Sequence, residues 1–178
     1  RMDTHPEAPL RIRLAAPTGK AAARLGESIS GEVDALPLPA AVRDAIPRSV
    51  STLHRLLGPR PGSRRFRHDR DNPLHADLVV VDEASMIDQE LTARLLDALR
   101  PETRLVLLGD KDQLASVEAG AVLGELCAGI EQPHYTAGTV AWVKANSGDD
   151  IAAWQAGGSA LQQQIVRLRD SRRFGVDS

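Results

Sequence analysis

The sequence predicts an α/β fold built on a parallel sheet. Three observations carry that prediction. Residues 10–16, 78–81 and 105–108 are short, largely apolar runs of the kind that form buried parallel strands. Each run ends at a turn-forming or polar residue: Pro17, Asp82 and Gly109. Between the runs lie stretches with helical spacing, and strands alternating with helices imply a parallel sheet. In such sheets ligands collect at the carboxyl ends of the strands, so the residues just after each run are the functional candidates.

The elements follow in order. After the first strand, Pro17-Thr18-Gly19 makes a turn into a helix over 20–29. In residues 51–57, Leu53, Leu56 and Leu57 form an apolar helix face, leaving Thr52, His54 and Arg55 polar. A helix over 88–99 puts Leu91, Leu95, Leu96 and Leu99 on one face, with Asp88 as its N-cap. A shorter helix is expected at 120–126. Beyond Cys127 the pattern weakens. Residues 139–144 fit a strand or a helix, 149–154 and 160–164 read as helical, and 165–168 read as a strand leading to Ser171-Arg172-Arg173-Phe174.

Composition narrows the function. A chain of 178 residues has room for about one domain. Apolar residues at 42% and charged residues at 26% suit a globular protein. No apolar run reaches the roughly 18 residues that span a bilayer, so no membrane role is expected. Residues 1–10 hold Asp3, Glu7 and two prolines, unlike a signal peptide. The single cysteine excludes an internal disulfide and a cysteine zinc cluster, in keeping with a cytoplasmic protein. With a net charge of −2, nucleic-acid binding would need a local basic surface. One exists: residues 60–70 hold Arg60, Arg64, Arg65, Arg67 and Arg70 against Asp69, a local charge of +4. That stretch reads as a solvated hairpin or as a surface for phosphate or protein.

Chemistry concentrates at the strand ends. After 78–81 come two adjacent carboxylates, Asp82 and Glu83. In a nucleotide triphosphatase the first holds Mg²⁺ through water and the second orients or deprotonates the attacking water. Acids at a helix N-cap are the structural alternative. After 105–108 come Gly109, Asp110 and the uncharged Gln113, which can bond a γ-phosphate oxygen or the attacking water. Gly19-Lys20 imitates a phosphate-binding loop and is rejected. The loop needs glycine five positions before its Gly-Lys and a hydroxyl after it, and Leu14 and Ala21 stand there. The Arg172-Arg173 pair could reach a γ-phosphate across a cleft.

These segments, in this order, resemble the motifs of superfamily 1 DNA helicases, most nearly the RecD branch, the alpha subunits of exodeoxyribonuclease V. LAAPTGKAAARL at 14–25 resembles motif Ia, and STLHRLLG at 51–58 the next single-strand-contacting motif. NPLHADLVVVDEASMID at 72–88 resembles motif II, LVLLGDKDQLASVEAGAVLGELC at 105–127 motif III, and SRRF at 171–174 the start of motif IV. The resemblance implies a RecA-like motor fold driven by ATP and Mg²⁺, moving 5′ to 3′ on single-stranded DNA with RecB and RecC in double-strand-break repair. It implies that Asp82 binds Mg²⁺, Glu83 activates water, Gln113 senses the γ-phosphate and Arg173 is the arginine finger. Pro17, Thr18, Lys20, Thr52 and His54 would line the DNA.

In that family the phosphate-binding loop precedes motif Ia on its own strand, and no window here supplies it. The expectation is therefore a partial first RecA-like domain over 1–135, missing the P-loop strand from the middle of its sheet and exposing apolar edges. A connecting segment and the start of a second motor domain would follow over 136–178. The 178 residues alone would be silent in ATP hydrolysis. Competing readings are a stand-alone RecD-like or relaxase helicase, and a non-enzymatic module that binds single-stranded DNA or a partner.

Overall fold

The computed structural model describes residues 10–111 and 121–168. It divides into two compact units, Arg1–Gly124 and Glu125–Ser178.

In the first unit, β1 (Ile12–Ala16), β2 (Ser51–Thr52), β3 (Leu78–Val81) and β4 (Arg104–Leu107) form one parallel sheet in the order β2-β1-β3-β4. Ala15, Ala16, Val79 and Val81 are fully buried, as central parallel strands require. The helices are α1 (Gly19–Ala35), α2 (Ala40–Ala45), α3 (Leu53–Leu57) and α4 (Gln89–Asp97). Leu53 and Leu57, one helical turn apart, are completely buried. On α4 the buried residue is Leu95, while Leu96 is 54% exposed, so the expected four-leucine face excludes Leu96. At the amino end of the sheet Arg11 grips Asp77 with a two-pronged guanidinium bond of 2.9 and 3.2 Å. The Arg11 carbonyl also accepts the Asp77 amide at 2.9 Å, pinning β1 to β3.

Two expectations need correction. The four strands form an unbroken ladder, so nothing is missing from between them, and β4 pairs on one side only among the described residues. Its outer position leaves Val106 and Leu108 exposed at 39% and 43%, which is the apolar edge that was expected. The second correction concerns 165–168, which is not a strand. Val166 and Leu168 are 75% and 89% exposed, because apolar character alone cannot make a strand without a neighbour to pair with.

α5 (Ala121–Leu126) spans the division between the units. The second unit holds α6 (Ala137–Ser147) and two 3-10 turns, Ala152–Trp154 and Gln162–Gln164. Residues 139–144 are thus helical. Gln163 is the unit's hub. Its Oε1 accepts from the Thr136 amide and the Thr139 hydroxyl at 2.8 Å each, and its Nε2 donates to the His134 carbonyl at 2.8 Å. The Tyr135 hydroxyl adds a bond to the Ile165 carbonyl at 2.7 Å. Replacing Gln163 with leucine orphans part-buried groups that cost about 1–3 kcal/mol each. Hydrogen exchange of the Thr136 amide in Gln163→Leu is expected to rise at least tenfold while the β1 and β3 amides keep their protection.

Candidate nucleotide and DNA site at the carboxyl end of the sheet

All four strands are parallel, so their carboxyl ends lie on one edge. The pairings Ala16 with Thr52, Ala15 with Val81 and Val81 with Leu107 bring those ends level. Along that edge Thr52 ends β2 and His54 follows it, and Pro17, Thr18 and Lys20 follow β1. Asp82 and Glu83 follow β3, and Gly109 and Asp110 follow β4. At about 4.8 Å per strand the edge is roughly 14 Å long. The residues assigned to DNA therefore occupy one half and those assigned to nucleotide chemistry the other. Gln113 and Arg173 lie outside the described residues.

On the nucleotide half, the Asp82 amide extends the ladder by donating to the Ala15 carbonyl at 2.9 Å. Glu83 then turns the chain with φ 52° and ψ 39°, the left-handed region that only glycine enters freely. It is the one non-glycine residue with positive φ among the described residues. A 3-10 turn, Ala84–Met86, follows, and Asp88 then caps α4 by accepting the Leu91 amide at 2.6 Å. Asp82 and Glu83 are half-buried and meet no arginine or lysine ion-pair partner among the described residues, so both carboxylates remain available to ligands.

The left-handed turn is held from β4. The Ala84 amide donates to the Leu108 carbonyl at 2.8 Å. Gly109 lies so close that a Cβ there would stand 2.8 Å from Leu123 Cδ2, 3.0 Å from the Ser85 amide nitrogen and 3.2 Å from that of Ala84. The Ser85 hydroxyl is buried without a hydrogen-bond partner, a further cost in this turn. Sequence reasoning named Gly109 only as the end of a strand, and missed Ser85 and the close approach of Gly109 to it. A glycine directly after an apolar strand and beside Asp110 was the available signal.

On the DNA half two threonines serve as N-caps. Thr18 Oγ1 accepts the Ala21 amide at 3.2 Å and Thr52 Oγ1 the Arg55 amide at 3.3 Å. Each hydroxyl keeps its proton to donate outward. Lys20 is exposed in the first turn of α1. His54 is exposed on α3, its ring edge-on to Phe66 at 5.7 Å. Pro17 is half-buried in the turn.

For Mg²⁺, Asp82 fits as a ligand through water, since its carboxylate stands unpaired at a strand end. Among the described residues a triphosphate finds no cradle. β1 joins α1 through Pro17 and Thr18 alone, whereas a wrapping phosphate loop takes about eight residues. Among the described residues no group of three or more histidine, cysteine or acidic side chains could hold a metal by itself.

The edge carries paired carboxylates after one strand and a glycine and an aspartate after the next, at the carboxyl end of a parallel α/β sheet. Residues 2–119 match the family model described as an AAA domain, and the chain belongs to that family. It is of the RecD type. It is 45% identical over 173 residues to the RecBCD enzyme subunit RecD of Haemophilus influenzae, covering 95% of this chain and 27% of that protein. It is 60% identical over 121 residues to the subunit of the same name from Mycolicibacterium smegmatis, covering 67% and 22%. With the ATP-dependent RecD2 DNA helicase of Deinococcus radiodurans it shares 44% identity over 114 residues, covering 64% and 13%. The chain thus spans about a quarter or less of the length of these relatives.

The strain at Glu83 is testable. Glycine relieves a left-handed residue and alanine does not, so Glu83→Gly is expected to be about 0.5–1 kcal/mol more stable to urea than Glu83→Ala. Equal stability, or a more stable alanine variant, would contradict the turn.

Proposed function

We propose that this chain supplies part of the motor of an ATP-dependent, 5′-to-3′ DNA helicase subunit of a RecBCD-type exodeoxyribonuclease V acting in double-strand-break repair. RecB and RecC are its partner subunits, and the cytoplasm is its compartment. No helix among the described residues is long and apolar enough to cross a membrane. The observation that carries the proposal is the level edge, where Thr18, Lys20 and Thr52 sit on one half and the paired carboxylates Asp82 and Glu83 on the other. The match that covers 95% of the chain is to a RecBCD subunit, while the RecD2 match covers 64%, which favours the subunit over a stand-alone helicase.

Bound MgATP supplies the phosphoanhydride bond and the cation; the chain's own groups do the rest. Asp82 would hold Mg²⁺ through water. Glu83, aimed by its left-handed backbone, orients the attacking water and accepts its proton. Gln113 senses the γ-phosphate, and Arg173 acts as the finger. Thr18 and Thr52 donate their hydroxyl protons to DNA phosphate oxygens while holding their caps. Lys20 adds charge, His54 adds an aromatic edge, and Pro17 stiffens the turn that presents Thr18. Because the phosphate cradle is absent from these residues, the 178-residue chain alone is expected to turn over no ATP.

The test uses the chain joined to an upstream phosphate loop of a RecD relative. Single-strand-stimulated turnover should fall about a hundredfold or more in Glu83→Gln. The combined Lys20→Ala and His54→Ala change should raise the half-saturating DNA concentration several-fold at nearly unchanged maximal rate. Turnover that survives Glu83→Gln would overturn the assignment.

A further inference from the structure

The arginine-rich segment after α3 remains outside the proposed machinery. It is an ordered turn: Pro59 bridges Phe66 antiparallel, the Arg67 amide donates to the Gly58 carbonyl at 2.6 Å, and the His68 amide donates to the Leu57 carbonyl at 3.0 Å. Gly58 makes the turn possible. Its φ is +74°, and a Cβ there would stand 3.0 Å from the Cβ of Arg67. Phe66 packs against His54, so the turn is tied directly to a residue of the DNA half.

Charge is not spread evenly over this segment. At its base Arg70 pairs with Asp97 at 3.0 Å. A cleft of about 240 Å³ there is lined by Arg70 and Arg94 together with Asp69, Asp71 and Asp97, with Arg65 of the tip at its rim. The tip differs. Residues 60–67 contain four arginines and no acid. Arg60, Arg64, Arg65 and Arg67 are exposed and make no ion pair among the described residues. Four unpaired guanidiniums on a braced turn form the local basic surface that a chain of net charge −2 needs to bind a polyanion.

We propose that the tip of this turn, through Arg60, Arg64, Arg65 and Arg67, binds the phosphate backbone of nucleic acid, continuing the strand track that begins at Thr52 and His54. The inference rests on the DNA-binding part of the proposed function. The arginines read no bases. They add sequence-independent affinity, because guanidiniums contact phosphate oxygens and displace condensed counterions. Phe66 is the brace and not a contact, since its ring is engaged by His54.

The test is the salt dependence of oligo-dT binding by the 178-residue chain, followed by fluorescence anisotropy. The wild-type chain should bind, with a logarithmic slope that flattens by about 0.7 for each phosphate contact removed. Replacing Arg64, Arg65 and Arg67 with alanine keeps every Cβ, including the one packed against Gly58, and should flatten the slope by about two. Lysine at the same three positions should restore it. Arg70→Ala, which breaks only the pair with Asp97, should leave it unchanged. Binding with an unaltered slope in the triple alanine variant would overturn this inference while leaving the proposed function intact. Weakened binding of polyglutamate but not of oligo-dT would overturn it in favour of an acidic protein partner. A wild-type chain that binds no oligo-dT at all would overturn both.

Discussion

The structure depends on parallel pairing with level strand ends. β1, β3 and β4 are paired residue for residue, and the Arg11–Asp77 grip fixes the other end of the β1–β3 pair. Every loop that leaves the carboxyl edge therefore starts from the same height, about 4.8 Å from its neighbour. Residues far apart in sequence, such as Thr18, Thr52 and Glu83, become neighbours without any contact of their own to hold them there. Strand order alone places Thr18 and Thr52 on one half of that edge and Asp82 and Glu83 on the other.

The nucleotide half carries the strain. Glu83 occupies a left-handed conformation, Ser85 buries an unpartnered hydroxyl, and Gly109 gives up its side chain so that β4 can approach. Each feature costs stability, and together they make this turn the strained part of the edge. The Ala84 amide bonded to the Leu108 carbonyl links this turn to the segment that continues towards Gln113.

Much of this was legible in the sequence. The runs at 78–81 and 105–108 announced β3 and β4, because parallel strands are short, largely apolar runs that end abruptly at polar or turn-forming residues. β2 was not legible. Ser51 and Thr52 carry no alternation and become a strand only because Ala15 and Ala16 lie alongside them. Strand order was hidden for the same reason, and with it the unbroken ladder that replaced the expected central gap. The close approach of Gly109 to Ser85 is a tertiary fact with only a glycine as its trace, and the N-caps of Thr18 and Thr52 were hidden behind their assignment to DNA.

The separation of the two halves is the central claim, and Gly109→Ala tests it most directly. A methyl group there must push on Ala84 and Ser85, next to Glu83, and lies two strand spacings from the β1 end. In the chain joined to an upstream phosphate loop, the account predicts that maximal ATP turnover falls at least tenfold while single-strand affinity stays within twofold of wild type. Unchanged turnover, or a loss of DNA affinity equal to the loss of turnover, would contradict it.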